Sequence, residues 1–180
     1  MRQFIIYLLM VSFITSTSAI NGIVSDTCMK MMKLNLYYNT PVHFCVTALN
    51  SDPRSSNATN IQQLTEISFE MDISKAKSIT VTIDNLLKNT TQHDNSTREA
   101  FNYCKQIYSF VSIELTAGLK ALKAKNYETA FVVADTAFQG ASICQLGLTK
   151  HMIGFSTFTR ENTYFMHLAS ISASFLFPHN

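Results

Sequence analysis

The chain has 180 residues, 47% of them hydrophobic, and a formal net charge of +2 at pH 7. That is the length of one domain with ample apolar material for a core. A charge balance so close to neutral, without a cluster of Lys and Arg, gives nucleic acid or an anionic membrane nothing to hold. The nearest approach to a cluster, Lys120, Lys123 and Lys125, is spaced as the solvated end of a helix, where cations suit the dipole.

In chain order, Arg2 precedes an apolar run from Phe4 to Ile14, and a small polar stretch then ends Thr17-Ser18-Ala19. This is the order of a secretory signal peptide, residues 1–19, and the run is too short for a membrane-spanning helix, which needs about 20 residues. Cleavage after Ala19 leaves a mature chain, residues 20–180, that is expected outside the cell with no membrane attachment. Three acceptor sequons agree with that route, at Asn57, Asn89 and Asn95, all at positions expected to be loops. Asn39-Thr40-Pro41 is not a sequon, because Pro41 stands where the hydroxyl residue is needed.

The four cysteines are Cys28, Cys45, Cys104 and Cys144. An even number in a secreted chain argues for two bridges, with three pairings open in principle. No closely spaced pair and no adjacent His cluster supports zinc instead, so no metal or other cofactor is expected.

Glycine and proline number five and three, too few to punctuate many short strands, and an all-α fold follows. Residues 20–50 read as a helical hairpin broken at Asn39-Thr40-Pro41, with Thr40 as cap and Pro41 in the first helical position. Cys28 and Cys45 flank it at its open end. A long helix follows over 61–87, introduced by the capping box Thr59-Asn60-Ile61-Gln62 and turning Leu64, Ile67, Met71, Ile79, Ile83 and Leu86 inward. Within it, Ser78 to Ile83 alternates apolar and β-branched polar residues as a strand does. The helical reading prevails there because no comparable strand exists to pair with it.

Two further segments step by three and four: Phe101, Cys104, Tyr108, Val111, Leu115, Gly118 and Leu122, then Tyr127, Ala130, Ala134, Ala137, Ala141, Cys144 and Leu148. The first opens on the capping box Ser96-Thr97-Arg98-Glu99 and the second on Asn126. Only Lys125 and its neighbours remain for a turn, so the two fold back antiparallel. Cys104 and Cys144 are then nearly equidistant from that turn on inward stripes and can meet. A last helix runs from Arg160 to Phe177, capped by Thr159 and stopped by Pro178. The expectation is a four-helix up-and-down bundle over 59–177 with an N-terminal disulfide-stapled hairpin.

No catalytic residue is identified. None of the six glutamates is followed three residues later by His, as a di-iron bundle requires. The histidines, His43, His93, His151, His167 and His179, are scattered one to an element without a nucleophile motif, and no glycine-rich phosphate loop is present.

With the hairpin, bundle and second bridge in place, the chain resembles the plant invertase and pectin methylesterase inhibitors over nearly all of its mature length. The carriers are Thr27-Cys28, Phe44-Cys45 with Ala48-Leu49, Cys104 with Tyr108, Gly118 to Leu122 before Asn126-Tyr127 and Ala130, then Cys144, Asn162 and Leu168 to Ser172. In texture it is most similar to the pollen-allergen branch of that family. The resemblance implies pairing of Cys28 with Cys45 and Cys104 with Cys144, and a non-catalytic role. It implies a partner bound one to one, acid invertase (a β-fructofuranosidase) or else pectin methylesterase, in the cell wall or vacuole. Invertase inhibitors of the family carry a Pro-Lys-Phe motif before the last helix; here the connection runs from Lys150 to Phe158 without it. Lys150, His151, Phe155 and Phe158 are the candidate target-binding residues, a cation pair with aromatic anchors. A more distant alternative is a helical carrier of small apolar ligands, against which the alanine-lined seam argues.

Overall fold

The structure is a computed structural model that describes residues 22–34, 37–88, 95–150 and 157–177. The proposed signal segment, Asn89 and Pro178 lie outside the described residues. Among the described residues there are six α-helices, α1 Gly22–Leu34, α2 Val42–Asn50, α3 Ile61–Lys88, α4 Asn95–Lys123, α5 Tyr127–Lys150 and α6 Thr157–Leu176, with a 3-10 turn at Pro53–Asn57. No strand occurs among the described residues. Helices α3 to α6 pack each on the next, and α3 closes the ring on α6, which is the four-helix bundle; α1 and α2 form a hairpin laid against α6.

The stretch Ser78 to Ile83 is helical, and the reason is visible in its burial. Ile79 and Ile83, four residues apart, are fully buried, while Val81 between them is 59% exposed. A strand would have put all three on one face. The β-branched hydroxyls are absorbed by the helix itself, Thr80 donating to the Ala76 carbonyl and Thr82 to that of Ser78, both at 3.1 Å.

Asn126 caps α5 as expected, its Oδ1 accepting from the Thr129 N–H at 3.1 Å. The turn before it is a Schellman motif with Lys125 in the left-handed region at φ 62°. Its N–H donates to Leu122 and that of Asn126 to Ala121, each at 2.9 Å, so α4's last carbonyls are satisfied.

Four boundaries differ from expectation. The cap of α3 lies one residue later: Asn60 Oδ1 accepts from Gln63 N–H at 3.0 Å, and Gln63 Oε1 accepts from Thr59 N–H at 2.7 Å. Thr40 does not cap α2. It is buried and reaches across to α6, bonding Ser170 and lying 3.1 Å from His167 Nδ1, while Pro41 takes the cap position without a side-chain bond. Helix α4 begins at Asn95, so that acceptor stands on an exposed first helical turn rather than in a loop, and Asn57 ends the 3-10 turn, also exposed. Helix α6 starts at Thr157, which places Thr159 inside it.

Both bridges are present, Cys28–Cys45 with Cα atoms 5.8 Å apart and Cys104–Cys144 at 5.1 Å, and the described residues hold no free cysteine. The bundle core contains Phe69, Phe101, Tyr108, Leu115, Ala134, Ala141 and Phe165. A second core joins hairpin residues Val24, Met31 and Leu49 to Leu64 of α3 and Leu168, Ile171 and Phe175 of α6.

Gly118 marks the tightest approach of α4. A Cβ there would lie 2.7 Å from Val133 Cγ1 and 2.9 Å from Phe69 Cε1. Gly118→Ala is therefore expected to destabilise by about 1–2 kcal/mol in urea unfolding, overpacking outweighing the helix-propensity gain. Gly147→Ala, with nothing within 4 Å, should instead stabilise by up to about 1 kcal/mol. Loop-closure entropy assigns about 4 kcal/mol to the bridge spanning 40 residues and about 3 to the one spanning 17, so the Cys104/Cys144 double alanine variant should melt lower than the Cys28/Cys45 one.

Candidate functional site

Among the described residues, no group of three or more His, Cys, Asp or Glu side chains could hold a metal ion. Of the described histidines, His43 is exposed on α2 and His167 is half-buried beside Thr40. Burial, and then the charge of His43, hold the His167 imidazole below its ordinary value. Neither histidine has a nucleophile to serve. What the chain offers a partner is therefore surface.

One candidate surface is the connection between α5 and α6. Lys150 is the last residue of α5, while His151 and Phe155 lie outside the described residues. Phe158 is not available as an anchor. It is fully buried and sets its ring edge-on to Phe101 at 5.4 Å between centroids. The cause is the earlier start of α6: from Thr157 onward, Phe158, Asn162, Phe165 and Ala169 step by four, three and four along the inward face. Placing the helix start at Arg160 hid that stripe.

Asn162 is the polar hub beneath the connection, and it is fully buried. Its Oδ1 accepts from Tyr108 Oη of α4 at 2.6 Å. Its Nδ2 donates to the Ala141 carbonyl at 3.1 Å and to Gln145 Oε1 at 3.0 Å, both on α5. One side chain thus joins three helices, and burial pushes the Tyr108 phenol well above its ordinary range, keeping it a donor. Sequence reading singled out Asn162 only through the family resemblance; a lone Asn on an apolar stripe was the available physical signal.

The second candidate surface was missed by that reading. On the outer faces of α4 and α5, Tyr103, Phe110, Ile113, Val132, Ile143 and Leu146 are between 47% and 70% exposed. Charge is sparse along it: between Glu99 and Lys120 α4 carries Lys105 and a partly exposed Glu114, and α5 carries Asp135 after Glu128. Lys105 pairs with Asp84 at 2.6 Å, and Asp135 accepts from Tyr38 at 2.7 Å. Isolated surface hydrophobics are ordinary, but an apolar row on two adjacent helices is a protein-docking feature. The signal was there in the sequence as apolar residues left over from the inward stripes.

The profile of the family described as plant invertase/pectin methylesterase inhibitor matches residues 22–174. A protein of Platanus orientalis named "Putative invertase inhibitor" is 28% identical over 150 residues, covering 83% of this chain and 85% of that one. The "Pectinesterase inhibitor" of Actinidia deliciosa is 26% identical over 148 residues, 79% of this chain and 74% of its own. A crystal structure of a mutant pectin methylesterase inhibitor from Arabidopsis superposes with a TM-score of 0.67 at 17% identity, covering 77% of this chain and 91% of that one, which shows the shared fold.

Two substitutions test this packing. Tyr108→Phe leaves the buried Asn162 Oδ1 without its donor and should cost about 1–3 kcal/mol of stability by urea unfolding. Phe158→Ala empties a core site and should cost about 3–5 kcal/mol; a near-neutral result would return Phe158 to the surface.

Proposed function

Because the chain belongs to the plant invertase/pectin methylesterase inhibitor family, whose members are inhibitors and not enzymes, we propose that it is a secreted protein that blocks acid invertase one to one. The observation that carries the reading is the attachment of the connection 151–156. It joins the end of α5 to a helix start locked by buried Phe158 and Asn162, so its two ends are fixed before a partner arrives. The relatives named as invertase inhibitors support the choice of target. A glycosidase sets two carboxylates across the scissile bond, and a cation brought into that desolvated cleft is strongly attracted. Lys150 supplies a cation, with the His151 imidazole next to it in sequence. Phe155 adds an apolar contact. Glycans on Asn57, Asn89 and Asn95 fit the same secretory route.

The second reading is pectin methylesterase inhibition through the α4–α5 face. Its support is the exposed apolar row of Tyr103, Phe110 and Ile143 and the relative named as a pectinesterase inhibitor.

Purified mature protein titrated against acid invertase and against pectin methylesterase across acidic pH decides between them. Inhibition of invertase is expected, and the triple variant Lys150→Ala, His151→Ala, Phe155→Ala should weaken it about 30-fold, the ~2 kcal/mol of one interface hot spot. If the triple variant inhibits as the parent does while Phe110→Asp abolishes inhibition, the helix face is the site. Loss of neither activity would sink both readings.

A further inference from the structure

Asp72 lies in the middle of α3, fully buried, with no charged partner. Its Oδ2 is 2.5 Å from Ser172 Oγ of α6, and its Oδ1 has no hydrogen-bond partner. Ser172 Oγ is also 2.8 Å from Ser68 Oγ, and Ser68 Oγ is 2.8 Å from the Thr65 carbonyl. Two hydroxyl hydrogens serve three contacts here. A carbonyl only accepts, so when all three are hydrogen bonds the hydrogen of Ser68 goes to Thr65 and that of Ser172 to Ser68. Ser172 then accepts from Asp72, and a carboxyl donates only when protonated; were Asp72 ionised, Ser172 would donate to Oδ2 and one of the other two contacts would carry no hydrogen.

We propose that Asp72 is held as a neutral carboxylic acid in the folded bundle, donating to Ser172, and that this makes the α3–α6 seam a built-in pH sensor favouring the inhibitor fold in acid. Full burial, the larger cause, acts in the same direction by pushing the carboxyl well above the ordinary range; a hydrogen donated by Ser172 to the carboxylate would act the other way. No neighbour supplies a compensating cation. Tyr108 of α4 donates to Asn162, and Glu161 of α6 pairs with Lys75. Tyr164 carries Lys75 over its ring, and His167 is engaged with Thr40, close to His43 of α2. Arg54 of the 3-10 turn is bound by Asp52 and Glu70.

The sign follows from linkage. The folded state holds a proton that the unfolded chain releases near its ordinary value of about 3.9, so stability is full below that pH and falls as pH rises toward the folded value. Over that interval the folded-to-unfolded ratio drops about tenfold per pH unit for one proton. His167 works oppositely, because its lowered value makes stability fall as pH decreases below about 6.5.

The test is urea unfolding of the mature protein from pH 4 to pH 8, compared with Asp72→Asn, whose amide donates to Ser172 at every pH; His167 cancels in the comparison. The variant should lose one proton's worth of pH dependence, gaining on the parent about tenfold per pH unit as pH rises from 4. Parallel pH profiles overturn the proposal. Should Asp72→Asn not fold, carboxyl-carbon NMR of the parent labelled at aspartate decides: of the six aspartates, one, assigned to Asp72, must still report the neutral acid at about pH 6. Six ionised carboxylates at that pH overturn it equally.

Discussion

A helix enclosed on every side has no face to give to water, and α6 from Leu168 to Phe175 is such a helix, with every residue buried. It is packed by α3, by α5 and, on its outer side, by the α1–α2 hairpin. The small residues Ala169, Ser170, Ser172, Ala173 and Ser174 are what let the neighbours come close enough to shut out solvent. The hairpin is therefore part of the fold's burial, because without it Leu168, Ile171 and Phe175 would face water.

Enclosure presses the polar side chains of α6 toward protein partners, Ser174 Oγ alone among its serines finding none, and those partners dictate features elsewhere. Ser170 donates to the His167 carbonyl at 2.7 Å and bonds Thr40, which draws the start of α2 onto α6. Phe44 follows it in, stacking against Tyr164 at 5.2 Å and His167 at 4.9 Å. Asn162 ties α4 and α5 to the other end of the helix. Ser172 meets Asp72 at 2.5 Å and ties the middle of α3 to the helix. Removing any of these partners leaves a buried polar group stranded, which costs more than the contact itself contributes.

That logic also marks where the sequence was readable. Helices α4 and α5 show their stripes plainly, because one face of each meets water and the period of the apolar residues survives. The turn at Lys125, the cap at Asn126 and the approach of Cys104 to Cys144 follow from those stripes. From Leu168 to Phe175 helix α6 carries a weaker signal: buried all round there, it has no polar side to define a period, and its serines look like surface residues. The misreading of Thr40 has the same root, since a threonine before proline signals a cap locally and only the enclosed Ser170 redirects it. Phe158 was lost to a boundary three residues out of place, the least reliable thing a periodic pattern gives. The apolar outer face of α4 and α5 was legible, but the residues left over after a core is assigned are easily taken for noise.

The Cys104–Cys144 tie lies far from the turn that joins its helices. At the turn end, α4 and α5 are already held by the Schellman motif and the Asn126 cap, and no cysteine lies there. Cys104–Cys144 sits toward the opposite end, and Cys144 precedes Lys150 by about 9 Å of helix, so the bridge works beside the Asn162 hub to clamp α5 close to its end. Cys28–Cys45 instead ties the middle of α1 to the first turn of α2, not to the open end of the hairpin. A protein that works by seating a surface on an enzyme loses affinity for every side chain and segment that must be ordered on contact. Helix faces fixed by Gly118 and the alanine seam place that ordering cost in folding instead of in binding.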